Sequence, residues 1–126
     1  DLPDVYLINL RDTETGKDWD AMDDAERVAS ATNDPDVVWT GPEVTAMAPA
    51  FVSQSSAFSD GFMRVHAPDP LEEGSSVSHW ASGNWTLLME PSLSGTLFDE
   101  VDLTIDLFRD IGWQIMEDVI FADGFE

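Results

Sequence analysis

A chain of 126 residues holds one domain with a modest core, and 43% apolar residues, with five Trp and seven Phe, exclude a disordered polymer. The net charge of −21, from 26 acidic against 5 basic residues, excludes nucleic-acid phosphates and anionic lipid surfaces as partners. No apolar run approaches the ~18 residues of a membrane span, and the lack of Cys rules out disulfides and thiolate metal sites.

In chain order, Val5 to Leu10 alternates and is rich in β-formers, which predicts a strand, and Asp12-Thr13-Glu14-Thr15-Gly16 predicts a turn after it. From Asp18 the pattern is helical. Ala21, Met22, Ala25, Val28 and Ala29 recur on one face, acidic residues crowd the first turns, and Asn33-Asp34-Pro35 ends the run. Val37-Val38-Trp39 reads as a short strand closed by Gly41-Pro42, while Val44 to Val52, small-residued and broken by Pro49, has no predicted structure. Ser53 to Gly61 reads as a loop, Phe62 to Ala67 as a short strand, and Gly74 to Ser78 as a flexible connection. Asp102 to Trp113 is the second helix, with Leu103, Leu107, Phe108 and Ile111 on one face, Asp99 or Asp102 as N-cap and Gly112 as stop. The expectation is an α+β domain of two main helices with short strands and long loops, spanning 1–117 and followed by a tail at 118–126.

Chemistry centres on few residues. The two histidines are His66, expected to be a partly exposed strand residue, and His79, set in the small-residue loop Gly74-Ser75-Ser76-Val77-Ser78 before Trp80. Ten residues after His79 comes Leu88-Met89-Glu90-Pro91, a turn stiffened by proline. Glu90, the nearest carboxylate, fits a structural or surface role better than that of a general base. Ser75, Ser76 and Ser78 lack a nucleophile-elbow motif and read as loop filling. Asp18, Asp20, Asp23 and Asp24 fail the calcium-loop pattern at Met22 and fit the capped start of a helix; calcium elsewhere on this acidic surface stays open and unlocated.

Ser78-His79-Trp80, Leu88-Met89-Glu90-Pro91 and Asp110-Ile111-Gly112-Trp113, in that order, resemble the metzincin zinc peptidases, in particular the leishmanolysin-like branch and related bacterial secreted proteins. Trp19 to Val44 and Ala67-Pro68-Asp69-Pro70 resemble segments of the bacterial relatives between the two halves of the metal-binding motif. The resemblance implies that this is the C-terminal part of a secreted metzincin-like peptidase. His79 would be the third zinc ligand, and Met89 and Pro91 would form the Met-turn beneath the metal. The H-E-x-x-H helix, with two further His ligands and the Glu general base, would lie upstream, so no catalytic residue is expected in this chain. The implied activity is hydrolysis of peptide or protein substrates by zinc-activated water, with zinc as cofactor of the complete protein and the chain inactive alone. Asp1 follows no leader pattern, so the export signal is also expected upstream. The alternative is a non-catalytic extracellular binding or remnant domain on the same scaffold.

Overall fold

The computed structural model describes residues 4–82, 87–92 and 102–114. Among these, the chain forms five short strands and three α-helices: β1 (Leu10–Asp12), β2 (Lys17–Asp18), α1 (Asp24–Ser30), β3 (Val37–Trp39), α2 (Pro42–Phe51), β4 (Phe58–Ser59), β5 (Phe62–Arg64) and α3 (Leu103–Asp110). The strands make one antiparallel sheet in the order β2-β1-β3-β5-β4. The architecture is α+β.

The first strand starts later than its alternation predicts. Asp4 draws the backbone N–H groups of Tyr6 and Leu7 onto its carboxylate at 2.9 and 2.7 Å, and the chain curls into a 3-10 turn over Leu7–Asn9 before extending at Leu10. The turn after β1 falls where expected. The Asp12 carboxylate accepts from the N–H groups of Glu14 and Thr15, and Gly16, at φ +73°, closes the hairpin onto β2. Asp12 is almost wholly buried, and its second oxygen accepts from Ser30 Oγ at 2.8 Å and Asn33 Nδ2 at 3.0 Å. Trp19 Nε1 donates in turn to Ser30 Oγ, so one carboxylate ties the hairpin to α1.

Helix α1 begins at Asp24 rather than Asp18, because Asp23 and Glu26 form a reciprocal capping box there. The residues before it make a 3-10 turn that buries Trp19 and Met22. The predicted apolar face is not the buried one. Ala25, Val28 and Ala29 are exposed, and Ser30 is the buried residue of the helix.

Strand β3 is the centre of the sheet. Leu10 pairs with Trp39, and Trp39 with Met63, so these three side chains share the core face, while Val38 lies on the other face between Arg11 and Arg64. Beyond it lies the helix missing from the expectation. Pro42 at its start is compatible with a helical first turn, where its absent N–H is no loss, and Val44 and Ala48, one turn apart, are fully buried. Pro49 sits in the last turn, near enough to the end for the helix to survive it. Helix α2 packs along α3 and onto β5.

The predicted loop at 53–61 holds a 3-10 turn and strand β4. Asp60 and Gly61, at φ +54° and +83°, turn β4 into β5 with the paired positive φ of a type I′ hairpin. Strand β5 itself ends at Arg64; Val65 continues only as a single bridge to Trp80.

Helix α3 runs from Leu103, with Asp102 as its N-cap accepting from Thr104 N–H, and Gly112 at φ +99° follows its end. Leu103 and Leu107 enter the core and Ile111 packs at its edge, but Phe108 is exposed and lies against Trp113, ring centroids 5.8 Å apart. Asp99, the other candidate cap, and the proposed tail at 118–126 lie outside the described residues.

Burial, as the main cause, raises the pKa of Asp106 on α3; Glu43 and Asp110 push the same way and Arg109 opposes them. A carboxyl whose folded pKa is raised favours folding when protonated, and that contribution is lost as pH rises through its folded pKa. Asp106→Asn is therefore expected to raise the urea midpoint at pH 7, with the difference closing below roughly pH 3, where the wild-type carboxyl is neutral in both states. An unchanged midpoint at pH 7 would contradict this.

Candidate functional site

His79 lies half-buried at the end of the 72–79 turn segment, with Trp80 following into the core. Its Nδ1 is 3.1 Å from the carbonyl oxygen of Ser75 and 3.0 Å from Ser78 Oγ. A carbonyl can only accept, so Nδ1 carries a proton, and in the neutral ring the lone pair then lies on Nε2. Among the described residues Nε2 has no hydrogen-bond partner. Holding one ring nitrogen in this way fixes the orientation of the imidazole and the direction of its other nitrogen.

The turn carrying Met89 sits directly against this loop. Trp80 N–H donates to the Met89 carbonyl at 2.8 Å, and the Met89 side chain packs on the core cluster. Leu87 to Glu90 closes on itself: Glu90 N–H donates to Leu87 O at 3.2 Å, and the buried Glu90 carboxylate accepts from Leu87 N–H. Glu90 thus spends its charge on its own turn. Leu88 N–H donates to Asp102 Oδ2 at 2.8 Å, joining the turn to the N-cap of α3, and Pro91 is half-buried beside it.

The third sequence motif closes the same body. Asp110 accepts from Glu43 N–H at 2.8 Å, Val44 N–H at 3.0 Å and Trp39 Nε1 at 2.8 Å, so a residue of α3 caps the N-terminus of α2 across the core. Gly41 is needed there for space. A Cβ on it would collide with the Asp110 carboxylate and the Trp39 indole nitrogen. Trp39 and Trp80 meet edge to face with centroids 6.2 Å apart, linking this cap to the His79 loop.

His66 departs from the expectation of a partly exposed strand histidine. It follows the end of β5, is 8% exposed, and its Nε2 is 2.7 Å from Glu72 Oε2. A histidine between a strand and Pro68 carries no local mark of this partner, which comes from a turn six residues on. Trp80 Nε1 is also buried, with no hydrogen-bond partner among the described residues.

No protein-family model, no curated protein and no solved structure matches the chain. Its function is therefore read from its own side chains. Among the described residues, no group of three or more His, Asp or Glu is placed to hold a metal ion, and no other such side chain joins His79 in one. The acidic residues near α1 are separately employed: Asp18 pairs with Arg11 at 2.6 Å, Asp23 caps the helix, and Asp24 approaches Arg27 at 3.3 Å. No helix among the described residues is long and apolar enough to cross a membrane.

Proposed function

We propose that this chain is the C-terminal part of a secreted, metzincin-like zinc endopeptidase, supplying His79 as one metal ligand and Met89 and Pro91 as the turn beneath the ion. The supporting observation is the His79 ring: Ser75 and Ser78 hold Nδ1, Nε2 has no partner among the described residues, and the following residue is bonded to the Met89 carbonyl. Bound zinc would supply Lewis-acid polarisation of a peptide carbonyl and activation of water toward pKa ~7. His79 presents Nε2 on a ring held at Nδ1, and the Met-turn backs the loop that carries it. Two further ligands and the general base belong to an H-E-x-x-H helix upstream.

The test is metal analysis of the full-length polypeptide together with casein hydrolysis before and after chelation. Stoichiometric zinc and chelator-sensitive cleavage are expected. A zinc-free, inert full-length protein, or an upstream sequence without H-E-x-x-H, would overturn the proposal and favour a non-catalytic extracellular domain on this scaffold. That second reading draws on the engagement of Glu90, Asp102 and Asp110 in backbone caps and turns, which commits these three carboxylates to structural roles. The 126-residue chain alone is expected to bind zinc weakly and to cleave nothing, since one imidazole leaves the ion hydrated.

A further inference from the structure

The turn segment that ends at His79 has little apolar anchorage. Of residues 72 to 79 only Val77 is apolar apart from Gly74, and it is half-buried, so the ring's position depends on polar contacts. Those contacts lead back to one residue. His66 N–H donates to the His79 carbonyl at 2.9 Å, and the His66 carbonyl accepts from Val77 N–H at 2.7 Å. The buried His66 ring holds the other end of the segment through Glu72, at 2.7 Å.

Glu72 then organises the turn. Its carbonyl accepts from the N–H groups of Ser75 and Ser76 at 3.1 and 2.9 Å, and its N–H donates to Ser76 Oγ at 2.9 Å. Ser75 offers its own carbonyl to His79 Nδ1. A continuous path therefore runs from the His66 ring through Glu72 and Ser75 to the His79 ring. A second clamp bears on the same turn: Tyr6 OH donates to the Val77 carbonyl at 2.7 Å, and burial pushes the Tyr6 phenol well above its ordinary pKa, keeping it a donor. Val77 sits at φ +68°, a conformation that a β-branched residue adopts only where its surroundings impose it.

We propose that His66, through its ring contact with Glu72 and its backbone contacts with Val77 and His79, is the positioning residue that aims His79 Nε2. This rests on the zinc-peptidase reading. His66 touches neither metal nor substrate in this role; it fixes the segment whose last residue does. Removing a partner bonded directly to a ligand weakens metal affinity about 10–100-fold, and His66, one step behind Ser75, is expected to act at the low end of that range.

The experiment uses the full-length polypeptide carrying Glu72→Ala, His66→Ala, His66→Gln or His79→Ala. Zinc affinity is read by competition with a chelating dye, and amide hydrogen exchange at 75–79 is followed in the metal-free protein. Glu72 is exposed, so Glu72→Ala breaks the ring contact with little risk to the fold and decides the matter if His66→Ala fails to fold. Glu72→Ala and His66→Ala are expected to lose about 10-fold in zinc affinity, the low end of the range for outer partners, and to exchange faster at 75–79. His66→Gln, whose amide can still donate to Glu72, is expected to recover most of both at an unchanged thermal midpoint. If His79→Ala loses zinc while Glu72→Ala keeps wild-type affinity and exchange, the positioning role is wrong and the peptidase reading stands. Wild-type zinc affinity in His79→Ala would overturn both.

Discussion

Replacing Asp110 with Ala is expected to lower the unfolding free energy by about 3–4 kcal/mol, out of the roughly 5–15 kcal/mol typical of a whole domain. Three donors converge on this carboxylate: two backbone N–H groups of the first turn of α2 and the indole N–H of Trp39. Hydrogen bonds to a charged acceptor contribute about 1.5–3 kcal/mol each, and loss of a helix N-cap alone costs about 1 kcal/mol. The sum is not additive, since removing a negative charge near Glu43 and Asp106 relieves some repulsion. Asp110→Asn keeps one acceptor oxygen and sets an NH2 group against a backbone donor, so about half the loss is expected.

Gly41→Ala attacks the same point from the other side. The added Cβ has no room between the Asp110 carboxylate and the Trp39 indole, and overpacking of this kind costs about 1–3 kcal/mol beyond any broken bonds. Urea titrations of the three variants should show lower midpoints at an unchanged slope. Wild-type midpoints for Asp110→Ala and Gly41→Ala would mean that the α2 cap does not hold the two halves of the core together.

On the proposed zinc-peptidase reading, His79→Ala in the full-length polypeptide is expected to reduce zinc affinity by on the order of 10²–10³-fold and to abolish casein hydrolysis. Binding free energies of about 10–16 kcal/mol for four-ligand zinc sites imply roughly 3–4 kcal/mol per ligand, which is that factor. Folding should be nearly unaffected. The ring is half-buried, and the backbone carbonyl that accepts from His66 N–H remains. Ser78→Ala should have a small effect, because the Ser75 carbonyl still holds Nδ1. Metal analysis after dialysis separates the two variants; undiminished zinc-dependent activity in His79→Ala would remove His79 from the site.

Much of the local structure was legible because its causes lie within a few residues. The Asp12–Gly16 turn, β3 and α3 each carry their own signals: an Asp side chain beside a glycine, a β-branched run, a period of apolar residues after an N-cap. Two element boundaries that differ from the expectation also have local causes. Asp4 bends the chain that alternation alone extends, and the Asp-x-x-Glu of residues 23 to 26 marks the true start of α1. The Asp60-Gly61 pair was a visible hairpin signal inside a stretch expected to be a loop.

Helix α2 is a different case. Gly41-Pro42 stops a strand and Pro49 argues against a helix, so no window of its own residues decides its conformation. The deciding groups are Asp110, more than sixty residues away, and the core that receives Val44 and Ala48. The His66–Glu72 contact is likewise set by the turn's path rather than by spacing, which is why His66 reads as an unremarkable strand residue in the sequence.

From its sequence alone, the chain is determined to be an acidic, cysteine-free α+β unit, with His79 and Met89 in adjacent short motifs, because composition and short-range patterning act residue by residue. Only the tertiary structure decided that the Trp39-to-Pro42, His79-Trp80, Met89 and Asp110 segments meet on one core, and that His66 sits behind the loop of His79. The physical reason is that these meetings either satisfy a buried donor or carboxylate or pack ring on ring with a partner distant in sequence, and such pairings exist only once the chain has closed on itself.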